Sequence, residues 1–215
     1  MALMTQFIPS KNGFQFINRF ELPIFERVRG MMWLGNLKTD LVYGLCGGMC
    51  SAALDFYFAQ RSIPVVSQVE KIDMDLFFYL WERQLDTLDA GVLAKLFKWM
   101  AWSDRTLALK VAKEEYPKVK AKLIAGTPII LALVRVRLSN PTMNHQVLAV
   151  GYEEDIITKR TTLFLYDPNH PGQTPSITMD LSKPGTGIKI QQDTGESLRG
   201  FFVIDYERQD PPKFD

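Results

Sequence analysis

The chain has 215 residues, of which 47% are hydrophobic and 23% are charged. At about 150 residues per domain this length favours one domain of generous size, and the apolar content is enough to build a core, which excludes a mainly disordered chain. The 25 Lys and Arg residues against 24 Asp and Glu residues leave a net charge of +1. No overall field would therefore attract nucleic acid or an acidic membrane.

The longest nearly unbroken apolar run covers residues 128–134. It is far shorter than the roughly 20 residues that span a bilayer, and the N-terminal residues lack the apolar centre of a signal peptide. The 2 cysteines are too few for a disulfide-rich secreted scaffold. We therefore expect a cytoplasmic protein with reduced thiols and no membrane span.

The first half of the chain is predicted to be mainly helical. Apolar residues at 14–17 indicate a short strand, and the segment 23–30 indicates a short helix that opens at a proline. Between residues 47 and 59 apolar and small residues recur at helical spacing, which predicts a helix. Ser62, Ile63 and Pro64 mark its end.

Three further helices are predicted before residue 126. Asp73 and Asp89 are suited to cap the first two, because a carboxylate oxygen can accept a free N–H of a helix's first turn. The third would begin near Asp104 and end at Gly126. Pro117 lies inside that pattern, so a kinked helix or two pieces are expected.

From residue 127 the hydrophobic period becomes that of strands. Helices followed by a run of strands predict an α+β fold with an antiparallel sheet, not a parallel α/β sheet. Six strand segments are expected, each bounded by Gly, Pro, Asn or Asp: TPIILALVRVRL, HQVLAVGYE, TTLFLYDPN, SITMDL, GIKIQQ and RGFFVIDYE.

A glycine-rich turn delivers a cysteine to the start of the predicted helix at 47–59, in the sequence YGLCGGMCSAA. The positive end of a helix, together with an adjacent imidazolium, lowers a thiol pKa from about 8.5 towards neutrality. The alternative is that Cys46 and Cys50 are small buried hydrophobic residues on one helix face. Gly47 and Gly48 weaken that alternative, because paired glycines cost helix stability and are useful where the backbone approaches something closely.

Two more candidates lie on the predicted strands. His145 opens the strand HQVLAVGYE, where a lone histidine is more often a hydrogen-bonded core residue. Asp167 ends the strand LFLYD and, with Pro168 and Asn169, also forms a turn signal. If these two strands are antiparallel neighbours, the carboxylate could lie beside the imidazole.

Together the segments GLCGGMCSAA, NHQVLAVGYE and LFLYDPN resemble the papain-like cysteine peptidase superfamily, especially its bacterial C39-like and butirosin-type acyltransferase branches. The resemblance implies one papain-like domain over residues 1–215, with a nucleophile-bearing helix packed on an antiparallel sheet. It also implies a helical insertion at 65–125. Because this insertion lies between the cysteine helix and the histidine strand in the sequence, it is a candidate wall for substrate selection. Cys46, His145 and Asp167 would form the catalytic triad.

Two features depart from the family pattern. Papain-like enzymes usually carry a glutamine several residues before the nucleophile to complete the oxyanion hole, and no glutamine lies between Gln15 and Cys46. Asn36 or the Tyr43 hydroxyl are candidate substitutes, with Gly47 and Asn169 as further supporting residues. Cys50 also competes with Cys46 for the nucleophile's role, and Cys46 is favoured because the helix is predicted to start directly after it.

The resemblance implies a thiol hydrolase of the peptidase or amidase type that acts on a peptide, amide or acyl-carrying substrate through an acyl-enzyme. An acyltransferase on the same triad and a non-catalytic binding module on the same fold remain alternatives. No cofactor is expected. A zinc site is disfavoured because the spacing of its four candidate ligands fits no common pattern; these are Cys46, Cys50, His145 and His170.

Overall fold

The computed structural model describes residues 1–20, 44–186 and 189–214. The fold is α+β, as predicted. The described helices are α1 Pro9–Asn12, α2 Cys46–Phe58, α3 Met74–Asp86, α4 Ala90–Ala101, α5 Asp104–Lys110 and α6 Tyr116–Ile124. The described strands are β1 Ala2–Met4, β2 Ile129–Val134, β3 His145–Glu154, β4 Arg160–Tyr166, β5 Ser176–Asp180, β6 Ile190–Gln192 and β7 Gly200–Ile204.

The strands form one antiparallel sheet in the order β6-β5-β4-β3-β2-β7, with β1 paired to β3. Strand β3 carries two partners on one edge, because β2 pairs with residues 145–149 and β1 with residues 151–153. A β-bulge between Ala149 and Gly151 separates the two registers of its pairing with β4. All six residues of β2 are buried, so both faces of the sheet centre are covered.

Helix α2 lies inside the protein, since every residue from 47 to 56 is buried. It packs against α3 at a point where only glycine fits. A Cβ added at Gly48 would lie 2.0 Å from the Leu80 carbonyl oxygen, and one at Gly47 would lie 2.2 Å from Thr87 Oγ1. The close approach that the paired glycines predicted is therefore an approach between α2 and the end of α3.

The predicted caps are confirmed. Asp73 Oδ1 accepts the Leu76 N–H at 2.7 Å, and Asp89 Oδ1 accepts the Val92 N–H at 2.8 Å. The predicted helix from Asp104 is interrupted by a π-helical segment, Val111–Glu115, directly before α6. Because proline removes one N–H and crowds the preceding turn, the wider π turn fits its place just before Pro117.

The strand predicted at 14–17 is wrong. Phe14 and Phe16 are buried while Ile17 is 56% exposed, so the side chains alternate as they would in a strand. The main chain of this segment, however, forms no β-ladder, and the Phe14 N–H is donated to the Tyr166 side-chain hydroxyl instead of to a neighbouring strand. The strand β1 and the short helix α1 were not predicted. The helix predicted at 23–30 lies outside the described residues.

A buried ion pair anchors helix α2. Asp55 on α2 and Arg83 on α3 are 0% and 2% exposed, and Asp55 Oδ2 lies 2.8 Å from Arg83 Nε. The hydroxyls of Tyr79 and Tyr206 donate to the same carboxylate at 2.8 and 2.6 Å, and the Gln209 N–H donates at 2.8 Å. One carboxylate thus joins α2, α3 and the segment that follows β7.

The helices of residues 65–125 divide between the two parts of the core. Helix α3 packs on α2, with its C-terminal end against Gly47 and Gly48. Helices α4 to α6 contact the sheet, where the Trp99 ring lies 5.3 Å from that of Phe202. Buried Glu115 accepts the Val203 N–H at 2.9 Å and so satisfies one main-chain donor of β7. The end of α3 lies close to Cys46, because Thr87 approaches Gly47.

Candidate functional site

Cys46 is the first residue of α2 and is half-buried. The residue before it, Leu45, has no side chain that could cap the helix. Gln84 of α3 supplies the missing acceptor instead, because its Oε1 takes the Gly48 N–H at 3.0 Å. The thiol therefore lies at the positive end of a buried helix, where a thiolate is stabilised.

His145 is the first residue of β3 and is 5% exposed. Its Nε2 lies 2.6 Å from Asp167 Oδ1, and its imidazole is close enough to Cys46 for each side chain to shift the other's pKa. Because an imidazole has two ring nitrogens and Nε2 faces the carboxylate, Nδ1 is the nitrogen left to interact with the thiol. The fold therefore brings Cys46, His145 and Asp167 into one cluster.

Asp167 follows the last residue of β4 and is fully buried. Its Oδ1 also accepts the Asn169 N–H at 2.8 Å, and Gln192 Nε2 donates to Oδ2 at 3.4 Å. Asp167 therefore makes both the turn contact and the contact with His145 that the sequence suggested. The turn fixes the carboxylate, and the fixed carboxylate bonds the imidazole.

The electrostatics of the site favour separated charges. Burial raises the pKa of the Cys46 thiol, but the charge and hydrogen bond of His145, with main-chain bonds from Gln146 and Gly47, outweigh burial and bring that pKa below its ordinary value. Burial lowers the pKa of His145, but Cys46 and Asp167 together raise it to about 9. Ionised Cys46 and protonated His145 thus stabilise each other.

The carboxylate that faces the imidazole is itself ionised. Burial raises the pKa of Asp167, but the hydrogen bond and charge of His145 and the Asn169 N–H bring it below its ordinary value. The negative charge that favours protonated His145 is thus present at neutral pH.

Cys50 lies one turn further along α2 and is fully buried. Its Sγ lies 3.8 Å from the Gln146 carbonyl oxygen, to which it donates. Burial, followed by the charges of Cys46 and Asp167, raises the pKa of this thiol well above its ordinary value. Cys50 therefore stays protonated where Cys46 ionises.

The other candidates from the sequence have different positions. Asn36 and Tyr43 lie outside the described residues. Asn169 Oδ1 accepts a hydrogen bond from Asn18 Nδ2 at 3.1 Å, and Asn18 Oδ1 accepts the Leu45 N–H at 2.5 Å. The sequence reasoning missed Asn18, Gln84 and Gln192, whose polar side chains reach the site from distant segments that have no motif.

Comparison with protein-family models, with curated proteins and with solved structures finds no match. Within residues 1–20, 44–186 and 189–214, no group of three or more His, Cys, Asp or Glu side chains could hold a metal ion. No helix in these same ranges is long and apolar enough to cross a membrane.

Proposed function

We propose that the chain is a papain-like thiol hydrolase of the peptidase or amidase type, with residues 1–215 forming one domain of that fold. The observation that carries the proposal is a half-buried cysteine at a helix N-terminus, next to a histidine whose Nε2 lies 2.6 Å from a buried aspartate. The buried nucleophile-bearing helix and the antiparallel sheet support the same fold. The substrate class is a peptide, amide or acyl carrier.

In the proposed reaction the Cys46 thiolate attacks the substrate carbonyl carbon, and the carbonyl electron pair moves onto oxygen. The Cys46 N–H is one donor to this oxyanion. When the carbon–heteroatom bond breaks, the leaving group takes the proton from His145 Nδ1, and Asp167 stabilises the imidazolium and its orientation. Water then gives a proton to His145 and attacks the thioester, and Cys46 departs as the thiolate.

An amine or alcohol in place of water would make the same triad an acyltransferase. The helices of residues 65–125 are proposed to contribute to substrate selection through the C-terminal end of α3, which lies beside Gly47. A cytoplasmic location is proposed with this function, because the nucleophile requires a reduced thiol.

The proposal predicts selective alkylation of Cys46. With iodoacetamide, the rate at Cys46 should rise through a pKa below the ordinary thiol value and then stay level, while Cys50 reacts only in strongly alkaline solution. The rate at each thiol is measured by peptide mass spectrometry from about pH 4 to about pH 10. This range lies on both sides of about 8.5, the pKa of a free thiol. Equal, ordinary reactivity of both thiols would instead support a non-catalytic binding module.

Variants of Asp167 test the third member of the triad. Asp167→Asn keeps an acceptor for His145 and should retain appreciable Cys46 reactivity, whereas Asp167→Ala should reduce it by about ten-fold or more, equivalent to about 1.4 kcal/mol. Alkylation rates and melting temperatures are measured for both variants. If Asp167→Ala lowers the melting temperature but leaves the pH profile unchanged, Asp167 is a turn residue only.

A further inference from the structure

Asn18 joins two parts of the candidate site that come from different layers of the fold. It is 9% exposed. Its N–H is donated to the Pro168 carbonyl at 3.0 Å, and its side-chain Nδ2 donates to Asn169 Oδ1 at 3.1 Å. On the other side, its Oδ1 accepts the Leu45 N–H at 2.5 Å. One side chain therefore holds the residue before Cys46 to the turn after Asp167.

The neighbours of Asn18 favour a fixed link over an incidental contact. Leu45 is 2% exposed, so without Asn18 its N–H would be a buried donor without this acceptor. A Cβ added at Gly44 would lie 2.7 Å from Asn18 Nδ2, so glycine is needed there for the loop to approach the amide. Gly44 and Leu45, the two residues before α2, therefore pack closely around this side chain.

The consequence concerns the separation of the thiol and the imidazole. Cys46 is held by α2, whereas His145 and Asp167 are held by β3 and β4. Through Asn18, the Leu45 main chain before α2 is joined to the Asn169 side chain after β4. Since an ion pair weakens as its groups move apart, this link would affect how strongly His145 stabilises the Cys46 thiolate.

We propose that Asn18 is a positioning residue that sets the contact between Cys46 and His145. It does so by joining Leu45, the residue before Cys46, to the turn formed by residues 167–169. This inference rests on the proposed function. Asn18 acts through its neighbours and is not assigned to contact substrate.

Asn18→Leu tests the inference, because leucine is of similar size and has no side-chain donor or acceptor. We expect the pH profile of Cys46 alkylation by iodoacetamide to move to higher pH, with a rate at pH 6 lower by about ten-fold or more. Alkylation forms no oxyanion, so the change reports the thiolate and imidazolium pair alone. Asn12→Leu is the matched control, since Asn12 at the end of α1 accepts the N–H of Ile8, the residue before that helix, and its profile should equal that of the wild type.

A second variant covers the case in which Asn18→Leu does not fold. Asn169→Ala removes the side-chain oxygen that accepts the bond from Asn18, at a half-buried position. The main-chain N–H of residue 169 can still donate to Asp167. It should move the alkylation profile in the same direction by a smaller amount. If both single variants fold, the double variant should be no slower than Asn18→Leu, because the two side chains act through one link.

The outcomes separate this inference from the proposed function. An ordinary thiol profile for wild-type Cys46 overturns both. Wild-type reactivity at low pH with unchanged profiles in the folded variants overturns the role of Asn18 alone, even where melting temperatures fall. Unchanged alkylation together with slower acylation by 4-nitrophenyl acetate would also overturn it, because Asn18 would then act on the acyl transition state.

Discussion

Asp55→Ala is expected to lower the free energy of unfolding by about 3–5 kcal/mol, the cost typical of removing one partner from a buried ion pair. Arg83 would keep its charge at a position that is 2% exposed, and two tyrosine hydroxyls would lose their acceptor. The same carboxylate fixes α2, so the loss should also loosen the helix that carries Cys46.

Asp86→Ala is the matched control, because Asp86 pairs with the same arginine at 2.5 Å but is 48% exposed. An exposed pair contributes about 0–1 kcal/mol. Urea unfolding followed by circular dichroism measures both variants. Equal small losses for Asp55→Ala and Asp86→Ala would show that the buried pair does not anchor α2.

His145→Ala is expected to slow turnover of 4-nitrophenyl acetate by about a thousand-fold, within the range of general acid–base catalysis. The variant loses the proposed general base and the charge that lowers the pKa of Cys46. Wild-type turnover should rise through the lowered pKa of Cys46 and fall as His145 loses its proton near pH 9. The release of nitrophenolate, followed against pH, measures both effects.

The other histidine supplies the control for this prediction. His170 is 26% exposed, and its Nε2 lies 3.2 Å from Glu196 Oε1. His170→Ala should retain the wild-type rate and pH profile. A loss of the same size in both variants would point to a general effect on the fold and not to a role of His145 in catalysis.

Much of the fold was predictable because local chemistry determines it. Asp73 and Asp89 are caps whose side chains bond an N–H only three residues ahead, and strand periodicity located β2 to β7. The strand predicted at 14–17 was wrong because side chains also alternate between buried and exposed in irregular segments. The Phe14 N–H is accepted by the hydroxyl of Tyr166, which is distant in sequence and could not be foreseen.

The site was predictable where its residues lie in recognisable segments. Cys46, His145 and Asp167 each stand at the end of a regular element and were found in this way. Asn18 and Gln192 were not, because a buried amide has no periodicity and its partners are set by tertiary packing. For the same reason Gln84 could not be predicted to accept a helix N–H from Gly48.

The most direct test of acyl transfer at Cys46 is to map the acyl group itself. The wild type and His145→Ala are mixed with 4-nitrophenyl acetate, quenched in acid at early times and digested for peptide mass spectrometry. The account predicts acetyl on Cys46 of the wild type, formed and then lost with turnover, and very little on His145→Ala. Acetyl on other residues only, or equal acetylation of Cys46 in both proteins, would contradict it.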